Sequence, residues 1–173
     1  MDIFLEEHKR FLNLLLKHEV NFMLVGGYAV IVYGYARGTS DMDIWLKPTN
    51  ENKNNFIQAL AEHGINVEHL EKVKSMDFTQ THVMHIGDKP NKIDFLTKVQ
   101  GVRFDEAEKE KMMLPFGNHL LPIIQYHHLI QTKISTGRAQ DKADVEILQK
   151  IHQHKTETKS SSFWQKLFRK NKS

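Results

Sequence analysis

The stretch that most constrains this chain lies between residues 22 and 46. Phe22-Met23-Leu24-Val25 is a short apolar run stopped by Gly26-Gly27, which reads as a buried strand. Tyr28 to Tyr33 is compact and apolar and ends at Gly34, the pattern of a short buried helix. Met42, Ile44 and Leu46 then alternate with Asp41, Asp43 and Trp45, the period of a strand. A strand that turns through two glycines into a helix lets backbone N–H groups approach a phosphate with no Cβ in the way. The start of that helix adds partial positive charge.

The second strand carries the chemistry. Asp41 and Asp43 are two residues apart, so both carboxylates leave the same face. Two such anions repel each other strongly in a low dielectric. A divalent cation between them relieves that repulsion, and carboxylate oxygens suit the hard ion Mg²⁺. Asp94 stands in a similar context, alone between Ile93 and Phe95 on an expected strand. Beside the first strand it would complete a set of three carboxylates. Such a set can hold two ions about 3.5–4 Å apart and drive in-line phosphoryl displacement. Arg37 and Thr39 precede the acids in Arg37-Gly38-Thr39-Ser40-Asp41-Met42-Asp43 and are nucleotide-binding candidates. The plainer reading is that they fix the loop, with Arg37 pairing an aspartate.

The rest of the chain mixes helices and strands without regular βαβ spacing. An amphipathic helix is expected over residues 3–18, from the stripe Phe4, Phe11, Leu12, Leu15 and Leu16. Asn50 is expected to cap a helix over 51–63 that stops at Gly64. Residues 72–81 read as loop. His82 to Ile86 and Lys92 to Leu96 read as a hairpin turning at Gly87-Asp88-Lys89-Pro90. A short charged helix follows at 105–112. Met113 to Phe116 and His119 to Leu121 form another candidate hairpin, weakened by Pro115. Pro122 to Ser135 and Asp141 to His154 read as two helices broken at Gly137. The expected class is α+β, a mixed sheet flanked by helices.

In combination these features resemble the nucleotidyltransferase superfamily typified by DNA polymerase beta, whose core the segment Phe22 to Leu46 is similar to. The resemblance continues at Leu129-Ile130-Gln131-Thr132-Lys133 and at Gly137-Arg138-Ala139-Gln140-Asp141-Lys142-Ala143-Asp144-Val145-Glu146-Ile147-Leu148. There it looks like small bacterial members, including toxin nucleotidyltransferases of abortive-infection type. The resemblance implies that Asp41 and Asp43 coordinate two Mg²⁺ (or Mn²⁺) ions. It implies that Asp94 joins them and helps deprotonate the attacking hydroxyl. Gly26 and Gly27 would cradle the triphosphate. Lys133 would neutralise phosphate charge, and Asp141 would orient Lys133 or the nucleotide. Many members carry serine where this chain has Gly27, so the grip here would rely on backbone amides.

Other residues speak less clearly. Lys133, Arg138, Asp141 and Asp144 also read as a solvated helix end and caps of the last helix. His82 and His85 fall on opposite strand faces, and the adjacent His127 and His128 diverge on a helix, so structural or solvent-facing roles are expected. The chain has 173 residues, no cysteine and a formal charge of +3. Without cysteine there is no disulfide, thiolate zinc site or thiol nucleophile, and the composition fits a cytoplasmic setting. No apolar run is long enough to span a membrane. Met1 to Glu7 lacks a basic n-region and cleavage site, so no signal peptide is expected.

The basic balance has a local source. Residues 155–173 carry a net +5, leaving −2 on the rest. The expected division is therefore a nucleotidyltransferase domain at 1–154 and a basic amphipathic tail at 155–173. Phe163, Trp164, Leu167 and Phe168 would form one apolar face of that tail, suited to a protein partner, to this domain or to a membrane surface. The expected activity is transfer of a nucleoside monophosphate from a nucleoside triphosphate to an acceptor hydroxyl on tRNA, protein or a small molecule. The alternative is a non-catalytic, antitoxin-like regulatory module on the same fold. A glycosyltransferase also fits Asp-x-Asp, but not the Gly-Gly spacing or the chain length.

Overall fold

The computed structural model describes residues 3–39 and 41–170, with side chains described as far as residue 154. Among the described residues, seven helices and one mixed six-stranded open sheet make an α+β architecture. In chain order the elements are α1 (Glu6–Lys17), β1 (Phe22–Leu24), α2 (Gly26–Val32), β2 (Asp41–Leu46), α3 (Asn50–His63), α4 (Val67–Ser75) and β3 (Val83–Ile86). There follow β4 (Lys92–Leu96), α5 (Phe104–Glu110), β5 (Met112–Phe116), β6 (His119–Ile123), α6 (Tyr126–Thr136) and α7 (Ala139–Lys170). The strand order is β3-β4-β2-β1-β6-β5. β2 runs parallel to β4 and β1 parallel to β6, while the other neighbours are antiparallel.

The alternation seen in the sequence sorts the two faces of the sheet. Met42, Ile44, Ile93 and Phe95 point into the core. There Phe11 of α1 lies 5.4 Å from Phe95 and Phe56 of α3 lies 4.8 Å from it, ring centroid to ring centroid. The other face carries Asp41, Asp43 and Trp45 along β2. Its far end is closed by Trp45 stacking edge-on against Phe104 of α5, at 5.1 Å, with the indole N–H donating to the Thr97 carbonyl. The acid end of that face stays open.

Several boundaries differ from expectation for identifiable reasons. Thr49, not Asn50, caps α3: its side chain accepts from the Asn52 N–H. Asn50 is the first helical residue and instead accepts from the Phe78 N–H and donates to Asp77. Gly64 does end α3, in the left-handed conformation at φ +97°. α4 reaches into the expected loop at 72–81. It is capped by Asn66, and its apolar residues Val67, Leu70 and Val73 recur every third position, of which Val73 is buried, Leu70 half-buried and Val67 exposed.

Pro122 lies in β6 rather than opening a helix. β6 meets β1 only through Ile123, so the missing N–H of Pro122 breaks no ladder there. Pro115 is tolerated because β5 is the outer strand. α7 runs through the boundary expected at 155 as one continuous helix. The apolar face expected of Phe163, Trp164, Leu167 and Phe168 lies outside the described side chains. Among the described residues, no helix is long and apolar enough to cross a membrane.

Candidate active site

The sheet register brings the acids together. Asp43 on β2 is paired directly with Asp94 on the parallel strand β4, and Asp41 lies two residues before Asp43 on the same face. Cross-strand partners share a face, so all three carboxylates stand on one side of the sheet. They line a cleft of about 550 Å³ together with Gly26, Gly27, Arg37, Thr39, Lys89, Lys133, Arg138 and Asp141. Every residue expected from the sequence to belong to the site therefore reaches one cleft, although they come from five separate stretches of chain.

The glycines abut the acids. Gly26 has φ +59°, and a Cβ there would fall 1.9 Å from Asp43 Oδ2. A side chain at Gly26 would thus be strained and would also displace a site carboxylate. A Cβ on Gly27 would fall 2.3 Å from Thr39 Oγ1. The Thr39 hydroxyl occupies the space that a side chain at position 27 would need, which gives a packing reason for glycine here. Thr39 also donates to the Asp41 carbonyl at 3.1 Å, holding the loop against the start of β2.

Asp43 is the electrostatic centre. Removal from water, then the charges of Asp41 and Asp94, push its carboxyl up from an ordinary 3.8 to about 6. A hydrogen bond from the Gly27 N–H and the positive charge of Lys133 oppose the rise without cancelling it. This is the signature of anions crowded without enough positive charge, which a divalent cation would supply. The donor set is all oxygen, as Mg²⁺ or Mn²⁺ requires. The acids are spread more widely than the shell of a single ion: among the described residues, the only group of three candidate ligands within 4.8 Å of one another lies elsewhere.

Asp94 already has a cationic neighbour. Lys92, two residues earlier on the same strand face, places Nζ 2.7 and 2.8 Å from its two oxygens. Lys92 and the cleft-lining Lys89 on the β3–β4 turn were not singled out in the sequence. His85 on β3 is the cross-strand partner of Asp94 and extends the same row at the sheet edge.

Lys133 is not a solvated helix end. It is 5% exposed and sits between two carboxylates, 2.7 Å from Asp141 and 2.7 Å from Asp144. Asp144 is 1% exposed and also holds Arg37, with Nε and Nη2 at 2.8 and 2.9 Å from its two oxygens. Burial alone would raise the Asp141 carboxyl. Hydrogen bonds from Lys133, Thr136 and Arg138, with the charge of Lys133, outweigh that and hold it low. Asp141 and Asp144 are thus the bed on which Lys133 and Arg37 are fixed, not mere helix caps. The Asp141–Asp144 spacing, one face of a helix, was the available signal for Asp144.

An apolar recess of about 660 Å³ adjoins the acids, sharing Gly26, Asp43 and Lys133 and adding Val25, Val99 and Leu129. A further recess of about 920 Å³ lies between α1, α2 and the β5–β6 hairpin and, among the described residues, is lined by no acid. His127 and His128 also differ from expectation. Their rings do not diverge but lie 4.0 Å apart, beside Glu110. Compared with known proteins, the chain matches no family model and no curated sequence.

Proposed function

We propose that this chain is a metal-dependent nucleotidyltransferase with a polymerase-beta-like core, closest in kind to the small bacterial toxin-like branch. The observation that carries the reading is the register: Asp43 opposite Asp94, with Asp41 beside them and Gly26-Gly27 against the same carboxylates. Lys133 and Asp141 in the same cleft support the narrower, toxin-like placement.

The reaction would join an acceptor hydroxyl oxygen to the α-phosphorus of a nucleoside triphosphate, break the bond to the β-phosphate bridge and release pyrophosphate. Divalent cations bound by Asp41, Asp43 and Asp94 would supply charge neutralisation at the attacking and leaving oxygens. The chain's own groups do the rest. Asp94 would accept the acceptor's proton, and Lys92, which donates a hydrogen bond to it, would have to yield. Gly26 and Gly27 line the same cleft, where their backbone would meet phosphate oxygens, while Asp43 and Thr39 fill the space over their Cα atoms. Lys133, fixed by Asp141 and Asp144, presents a positive charge that need not reorganise during the reaction. The adjoining apolar recess offers a surface for a base or acceptor.

A second reading, a non-catalytic binding module, draws on the internal pairing of Arg37 and Lys133 with buried aspartates. Calorimetric titration separates the two. Nucleotide binding that depends on Mg²⁺ supports the enzyme; binding indifferent to Mg²⁺, or none, supports the module.

A further inference from the structure

We propose that Glu110, His127 and His128 form a binding site for one zinc-class transition-metal ion, separate from the acid cleft. α5 ends at Glu110, and α6 places His127 and His128 in its first turn. One ligand atom of each of the three lies within 4.8 Å of the others. Glu110 Oε2 is 3.2 Å from His127 Nε2, and the two imidazole centroids are 4.0 Å apart.

A second observation points to a ligand. His128 is only 7% exposed, yet its Nδ1 has no hydrogen-bond partner. Buried ring nitrogens are almost always paired, and an ion is one of the few things that satisfies such a group.

The donor chemistry selects the ion. Two imidazoles and one carboxylate suit Zn²⁺ and similar ions, whereas Mg²⁺ prefers oxygen ligands alone. Tetrahedral bonds of about 2.0–2.2 Å set neighbouring ligand atoms roughly 3.3 Å apart, close to the 3.2 Å between Glu110 Oε2 and His127 Nε2. The side chains of Glu110 and His127 are 58% and 54% exposed and can rotate inward, while buried His128 is the fixed anchor. Glu106, one turn earlier on α5, adds negative potential near His128. Three protein ligands leave a fourth position for water. The site stands whether or not the acid cleft transfers nucleotides.

The test is Zn²⁺ titration of the tag-free full-length chain, stripped of metal, against a chromophoric chelator. An Asp41→Asn/Asp43→Asn background with excess Mg²⁺ removes the acid cleft as a competing site. The expected result is one tightly bound Zn²⁺ per chain and a higher melting temperature with zinc. Glu110→Gln with His127→Ala changes only exposed side chains, so its zinc-free melting temperature should be unaltered. Its zinc affinity should fall by more than the roughly 10–100-fold that loss of an outer-shell partner costs. No stoichiometric zinc binding, or equal affinity in that double variant, would overturn the proposal and leave a surface His–Glu ion pair.

Discussion

Asp43 concentrates the conflict between stability and function. Its carboxyl titrates near 6 in the folded chain and near 3.8 when unfolded. Between those values the folded state holds more protons, so metal-free stability should fall as pH rises from about 4 to 6 and then level off. A shift of that size corresponds to about 2–3 kcal/mol. Asp43→Asn should therefore stabilise the metal-free protein above pH 7 by up to that amount, while abolishing Mg²⁺-dependent transfer. Urea unfolding at pH 4 and pH 7.5, with and without Mg²⁺, measures it. A variant no more stable than the parent at pH 7.5 would show that the crowding is already relieved. Gly27 makes a steric prediction. Gly27→Ser should destabilise by about 1–3 kcal/mol, because the new Cβ meets Thr39. Adding Thr39→Gly should recover part of the loss, beyond what the two single changes predict by addition.

At the scale of elements, α6 and α7 are tied to the loop before β2 by one buried charge network. Lys133 is its hub. Lys133→Met should cost about 3 kcal/mol, because it leaves Asp141 and Asp144 short of positive charge, with Arg37 and Arg138 as the remaining partners. Thermal unfolding reads it directly, and a change below about 0.5 kcal/mol would mean the pair is solvated in solution.

What was legible in the sequence follows from distance along the chain. Asp41, Asp43 and Asp94 could be placed because strand alternation fixes which way a side chain leaves, and isolated acids among Ile93, Phe95, Met42 and Ile44 have only one face open to them. Asp144 could not be placed, because its meaning depends on Arg37 far earlier in the chain. α4 escaped because its stripe, Val67, Leu70 and Val73, is only three residues long and breaks off into the polar run Lys74-Ser75 inside the stretch that reads as loop. His127 and His128 misled because adjacent helical residues point apart at Cβ, yet their rings still meet.

At the scale of the molecule, the sheet order sets β2 between β1 and β4, so the glycine turn after β1 and the acid on β4 flank the same pair of aspartates. The slightly acidic body and the +5 stretch at 155–173 are then separate electrostatic parts. If the acceptor is RNA, deleting 155–173 should weaken its binding and flatten the salt dependence while leaving nucleotide affinity unchanged. Equal RNA affinity without those residues would remove that role for them. The central claim is that the three aspartates act on a nucleoside triphosphate. Its most direct test is incubation with each α-labelled triphosphate, Mg²⁺ and cellular RNA or protein. Label transfer should appear with the parent chain and vanish with Asp41→Ala/Asp43→Ala; transfer that survives the double substitution would contradict the account.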